Sequence, residues 1–292
     1  MKTLLITGVS GFLGWHIYQK TRSSWASFGT YFNHNVNSND PNLIKINLTD
    51  LAAVKELFQQ IKPDAVIHGA AQSKPNLCQE FPQASEAINL TASLEIARLC
   101  SQYQIPLVFT STDLVFDGKN APYSENDTVS PVSVYGEQKV AAEKGILAIY
   151  PRAAICRMPL MFGSPSPSAN SFLQPFLKTL QEGKELSLFT DEYRTAVGVN
   201  SAVNGLLLAL EKVQGIIHLG GKERVSRYQF GLLMAAVFNL PREQIKPCLQ
   251  CDVPMIAPRP QDVSLDSSLA FSLGYQPLSI KTELEAIRDE II

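Results

Sequence analysis

No apolar run in this 292-residue chain approaches the roughly 18 residues needed to cross a bilayer. Charge of one sign is also scarce: the net charge is −2, which gives no bulk attraction to nucleic acid or to an anionic membrane. The five cysteines are scattered and odd in number, which argues against a disulfide framework and fits reduced thiols in a cytoplasm. Cys248 and Cys251 form a Cys-x-x-Cys, but no second Cys or His pair stands near them, so no metal site is expected. The opening stretch Met1–Gly8 is too short and too quickly interrupted for a signal peptide. Internal repeats and low-complexity tracts are missing as well. What remains, 45% apolar and 18% charged residues, is the composition of a globular protein with a sizeable core, built as one large domain or two small ones.

One pair stands out. Tyr135 and Lys139 form the only Tyr-x-x-x-Lys, a spacing that puts both side chains on one face of a helix. An ammonium beside a phenol favours the phenolate, so the spacing predicts a tyrosine whose pKa is lowered toward neutrality and that exchanges protons at physiological pH. Two ordinary surface residues would show the same spacing, so the surrounding chain has to decide.

Upstream, Lys2–Thr7 reads as a short strand that runs into Gly8-Val9-Ser10-Gly11-Phe12-Leu13-Gly14, and a helical pattern follows. Strand, glycine turn and helix in this order are the context of a dinucleotide site. Gly8 permits the tight turn, Gly11 lets backbone approach a pyrophosphate, Gly14 allows close helix packing, and the helix N-terminus supplies N–H groups. The second strand, Ser27–Asn33, ends in Tyr31-Phe32-Asn33-His34 with neither the acid of NAD-selective folds nor an Arg. Asn33, His34, Asn35 and Asn37 offer polar groups to a 2′-phosphate and lean the reading to NADP(H) over NAD(H), although they also read as plain loop residues.

Strands at Leu43–Leu48, Ala65–Ala71, Ile105–Phe109 and Arg152–Met158 alternate with helical patterns at Asp50–Ile61, Phe81–Tyr103 and from Ser133. This alternation predicts an α/β fold with a doubly wound parallel (Rossmann) sheet. His68 reads as a packed strand residue, and Asn89 as a buried helix residue that needs partners. The fifth strand delivers Thr110-Ser111-Thr112-Asp113 to the carboxyl end of the sheet, where open α/β folds hold ligands. After Gly163 the pattern turns irregular. Residues 1–163 read as the dinucleotide-binding domain and 164–292 as mainly a smaller substrate-binding region, with 201–221 rejoining the sheet.

Taken together, the chain resembles the extended short-chain dehydrogenase/reductases. The glycines match that family's G-x-x-G-x-x-G. The run from Ser111 to Gly118, then Pro122-Tyr123-Ser124-Glu125-Asn126-Asp127, Pro131, Tyr135-Gly136, Lys139 and Glu143, is similar to the dTDP-4-dehydrorhamnose reductase group, as are Arg157, Gly163, Arg259-Pro260 and Leu265-Asp266. The resemblance implies a reductase of a nucleotide-activated keto sugar. Thr112 would hold the substrate carbonyl, Tyr135 would donate the proton, and Lys139 would tune Tyr135 and hold the nicotinamide ribose. Gly8, Gly11, Phe12, Leu13 and Gly14 would surround the pyrophosphate. Asn33, Asn47, Leu48, Ala70, Ala71, Thr110 and Met158 would border the rest of the cofactor. Asp113, Val115, Phe116, Arg194 and Arg259 would face the substrate, and Arg224 and Arg227 are further candidates for its diphosphate, because guanidinium forks match phosphate oxygens. A homodimer is compatible with the resemblance. Two departures stand against it: Asn47-Leu48 replaces a common Asp-Leu or Asp-Ile, and the run Met158–Phe162 lacks an expected Trp. The same scaffold also carries epimerases and dehydratases, the latter disfavoured because Asp113 is followed by Leu114 and not Glu. It carries as well the regulatory subunit of methionine adenosyltransferase.

Overall fold

The structure, a computed structural model, describes residues 1–33, 36 and 39–291. Seven strands form the central sheet: β1 (Thr3–Thr7), β2 (Ala26–Tyr31), β3 (Leu43–Lys45), β4 (Ala65–His68), β5 (Leu107–Thr112), β6 (Ala154–Met158) and β7 (Gly215–His218). Their order is β7-β6-β5-β4-β1-β2-β3, and every neighbouring pair is parallel. A parallel sheet must be covered on both faces. Helices Phe12–Thr21 and Val199–Lys212 cover one face through Ile17, Tyr18, Val203 and Leu206. Helices Leu51–Ile61, Ala92–Tyr103 and Val134–Ile149 cover the other through Leu57, Phe58, Ile96, Ala142 and Ile146. The chain leaves β1 toward β2 and β3, then returns to lay β4 on the other side of β1. That reversal opens a crevice at the carboxyl ends of β1 and β4.

The expected elements shift in instructive ways. β5 continues through Thr112, so the polar run is the strand end itself. The helix expected over Phe81–Tyr103 is Pro82–Glu86, a π-helical turn Ala87–Thr91 and Ala92–Tyr103, preceded by a separate helix Pro75–Glu80. The π turn carries Asn89, whose amide donates to Gln138 Oε1 at 2.9 Å and whose Oδ1 accepts from Gln72 N at 2.8 Å. Such single wide turns accommodate an inward-pointing functional group. Asp50 caps the Leu51–Ile61 helix by accepting from Ala52 N and Ala53 N, as its position predicts.

Beyond Gly163, helices Leu173–Gln181, Arg227–Val237 and Ile280–Ile291 surround a separate apolar cluster with Leu173, Phe230, Met234 and Leu284, beside the paired strands Leu186–Phe189 and Ile245–Cys248. Ser226 and Gln229 form a reciprocal capping box at the start of the Arg227–Val237 helix. No helix among the described residues is long and apolar enough to cross a membrane.

Candidate active site

The glycine turn lies at the crevice. Gly8 has φ +80°, and a Cβ there would sit 2.8 Å from Ala70 Cα, so glycine is required both by conformation and by the approach of the β4 end. A Cβ on Gly14 would overlap the Gly8 carbonyl oxygen, whereas one on Gly11 would meet only that oxygen, at 3.1 Å. The Gly11 slot therefore opens outward. The Phe12–Thr21 helix begins there with no side-chain cap and no acid in its first turn. Its first N–H groups and the positive end of its dipole are left for an anion. The donor set fits a pyrophosphate.

Around this turn, Ala70 and Ala71 are half-buried, and Ala70 N donates to Thr7 Oγ1 at 3.2 Å. Asn33 is exposed; His34, Asn35 and Asn37 lie outside the described residues. Asn47 is exposed, and its Oδ1 accepts from Thr49 N and Thr49 Oγ1. Leu48 is buried among Leu57, Phe58 and their neighbours, so only Asn47 of this pair presents a side chain to solvent.

Thr112 ends β5 opposite Met158 of β6, and the Val134–Ile149 helix brings Tyr135 and Lys139 to the same end of the sheet. All four are buried. Lys139 Nζ donates to Thr110 O at 2.6 Å and lies 3.9 Å from the centre of the Phe109 ring. Thr110 Oγ1 donates to His68 O at 3.2 Å. Burial pulls the Lys139 amine down to about 7 against the opposing pull of Glu143. The Glu143 carboxylate is itself taken by the Ser111 hydroxyl and by Arg157, whose Nη2 lies 2.8 Å away.

The lowered tyrosine expected from the spacing is not what the structure holds. Burial, then the Asp113 carboxylate, pushes the Tyr135 phenol above its ordinary value, and a hydrogen bond from Thr112 only partly opposes this. Desolvation outweighs the ammonium because Lys139 is turned to Thr110 O and holds its own charge weakly near neutral pH. His68 is a packed strand residue: it bonds Thr7 Oγ1 at 2.6 Å and Ser93 Oγ at 2.9 Å, and burial lowers it to about 3.

Two of the residues expected to face the substrate lie within the apolar packing. Val115 and Phe116 have no exposed surface and pack with Tyr123, Val263 and Leu265, Phe116 stacking on Tyr123 at 4.1 Å. A third, Arg194, is buried between Asp113 Oδ2 at 3.4 Å and Glu192 Oε1 at 3.6 Å, so its charge is spent inside the protein. Arg227 pairs with Glu192 at 2.8 Å, and Arg224 pairs with Asp262 at 2.6 Å while lying over the Tyr193 ring. Arg259 differs: its Nε is buried and has no hydrogen-bond partner among the described residues. Glu192, which organises this cluster, escaped the sequence reading because an acid among loop residues carries no periodic signal.

The family model described as the RmlD substrate binding domain matches residues 1–291. The chain belongs to this family. Among curated proteins, methionine adenosyltransferase 2 subunit beta of Danio rerio is 30% identical over 99% of the chain and 90% of its own length, and the Xenopus laevis protein of that name is 31% identical over 92% and 82%. Among solved structures, dTDP-4-dehydrorhamnose reductase from Bacillus anthracis in complex with NADP superposes with a TM-score of 0.89 at 21% identity, covering 99% of this chain and 100% of that one. A hypothetical dTDP-4-dehydrorhamnose reductase from Sulfolobus tokodaii gives 0.84 at 31% identity, covering 96% and 98%.

Proposed function

We propose that the protein is an NAD(P)H-dependent reductase of a nucleotide-activated keto sugar, of the dTDP-4-dehydrorhamnose reductase type. The observation that carries this reading is the convergence of Thr112, Tyr135 and Lys139 at the carboxyl end of the sheet that also holds the uncapped glycine turn. The bound nicotinamide would supply a hydride. Gly8, Gly11, Phe12, Leu13 and Gly14 would hold its pyrophosphate, Ala70, Ala71 and Met158 would flank it, and Lys139 would hold the ribose. Tyr135, kept protonated by its buried setting, gives a proton to the keto oxygen, and Thr112 steadies the charge that develops there. Fixing the two reactants in register is worth roughly 7–11 kcal/mol. We take NADP(H) as the cofactor, residues 164–292 as mainly the substrate-covering region with 201–221 contributing to the sheet, Arg259 as a diphosphate ligand, and the cytoplasm as the setting.

A second reading is favoured by the named sequence relatives, which are subunits of methionine adenosyltransferase: a cofactor-binding regulatory subunit that turns nothing over. One experiment separates the two. The protein is titrated with NADPH and NADH by fluorescence, then given dTDP-4-keto-6-deoxy sugars while absorbance of the reduced cofactor is followed. Oxidation of the cofactor supports the reductase. Tight cofactor binding with no oxidation by any nucleotide keto sugar sinks it and favours the regulatory reading.

A further inference from the structure

Two neighbouring residues of β5 are bonded to the Val134–Ile149 helix one turn apart. Lys139 Nζ donates to Thr110 O at 2.6 Å, and the Ser111 hydroxyl donates to Glu143 Oε1. Tyr135, Lys139 and Glu143 follow one another at four-residue spacing, so they share a face of that helix. The next residue of β5 is Thr112. Glu143 is also gripped from β6. Arg157 lies opposite Ser111 there, and its Nε donates to Glu143 Oε1 at 3.1 Å while its Nη2 donates to Oε2 at 2.8 Å. Such a fork fixes the carboxylate in plane and direction. Arg157 is held in turn: its guanidinium carbon lies 5.1 Å from the centre of the Phe116 ring, and its Nη1 meets His218 Nε2 of β7 at 3.3 Å. A guanidinium only donates, so His218 carries its hydrogen on Nδ1 and gives it to Tyr123 O at 3.0 Å. Ser111, Glu143, Arg157 and His218 are all buried.

We propose that Glu143 is a positioning residue: locked by Arg157, it ties the Val134–Ile149 helix to the end of β5 through Ser111 and sets a carboxylate one turn from the Lys139 ammonium. The two ties, Lys139 to Thr110 and Ser111 to Glu143, fix the height and rotation of the helix against the strand that ends in Thr112. Arg157 keeps its acceptor at neutral pH, because burial and then the Arg157 charge lower His218 to about 4. The functional meaning rests on the dinucleotide reading, in which Lys139 holds the nicotinamide ribose. Loosening Glu143 should therefore disturb the nicotinamide half of the cofactor and spare the adenosine half.

The test needs no turnover. Glu143→Gln keeps the shape and loses the charge. With carbon-13-labelled lysine, and Lys139→Met to assign the resonance, the Lys139 amine should titrate about half a pH unit or more lower than in the parent. An unmoved midpoint overturns the proposal. Should Glu143→Gln fail to fold, Ser111→Ala carries the test, because Glu143 Oε1 keeps Arg157 Nε as a partner. Affinity for NADPH should fall about tenfold, the low end of what a hydrogen bond to a charged group contributes. Affinity for 2′,5′-ADP, which lacks the nicotinamide ribose, should stay parental. Ser111→Thr, which restores the hydroxyl, should bring NADPH affinity back. Affinities that fall together, or that do not change, overturn the proposal, since a general loosening of the fold would not single out the nicotinamide half. A parent that binds neither compound defeats the dinucleotide reading, while the Lys139 titration still decides the role of Glu143.

Discussion

At the glycine turn, backbone N–H groups and a helix dipole are left open toward the crevice. Across the site, in the arginine-rich segments around 194 and 227, guanidinium groups are closed off by Glu192, Asp113 and Asp262. Both segments read as phosphate binders in the sequence. They part because one uses groups that have no alternative partner, whereas the other uses side chains long enough to find carboxylates elsewhere in the chain. A buried guanidinium without a partner is costly, so the fold pairs it. Changes at the catalytic side should therefore damage chemistry and spare stability, and changes in the arginine cluster should do the reverse.

The largest effect should come from Tyr135→Phe, which removes the proton donor. Turnover should fall by about 10²–10⁴-fold, with dinucleotide affinity from fluorescence titration nearly unchanged. A variant with parental turnover would remove Tyr135 from the mechanism. The opposite side of the comparison is tested by Glu192→Ala, which takes the shared carboxylate from buried Arg194, leaving it Asp113, and from half-buried Arg227. A loss of about 3–5 kcal/mol in denaturant unfolding is expected, as for breaking other buried pairs. A loss under about 1 kcal/mol, the range of exposed pairs, would mean that the arginines are free for ligands after all.

Lys139→Met should make the protein more heat-stable at pH 6. The amine titrates at about 7 when folded and near 10.4 when unfolded. Between these values the unfolded chain binds more protons, so parental stability rises with pH and the advantage of Met shrinks. Melting temperatures of both proteins at pH 6 and pH 9 check this, and an advantage that grows with pH contradicts it. The smallest effect is at Ser226→Ala, which opens the capping box of the Arg227–Val237 helix. It should cost about 1 kcal/mol and leave catalysis intact, as measured by denaturant midpoint and turnover.

Much of the fold and part of the site were legible in the residues themselves. The alternation of strand and helix patterns predicted the parallel sheet, and Gly8 and Gly14 stood out because a tight turn and a close helix approach exclude a side chain locally, whatever surrounds them. Tyr135 and Lys139 share a helix face by the geometry of the helix alone. Tertiary structure decided what these groups experience. It buried Tyr135 beside Asp113 and so raised the phenol that spacing alone would lower. It packed Val115 and Phe116 into a core, widened the helix at Asn89, and spent Arg194 on Asp113 and Glu192. Each of these outcomes depends on desolvation or on a partner far away in the chain. Local sequence sets backbone sterics and periodicity, but the electrostatic state of a buried group is set by what the rest of the fold places against it.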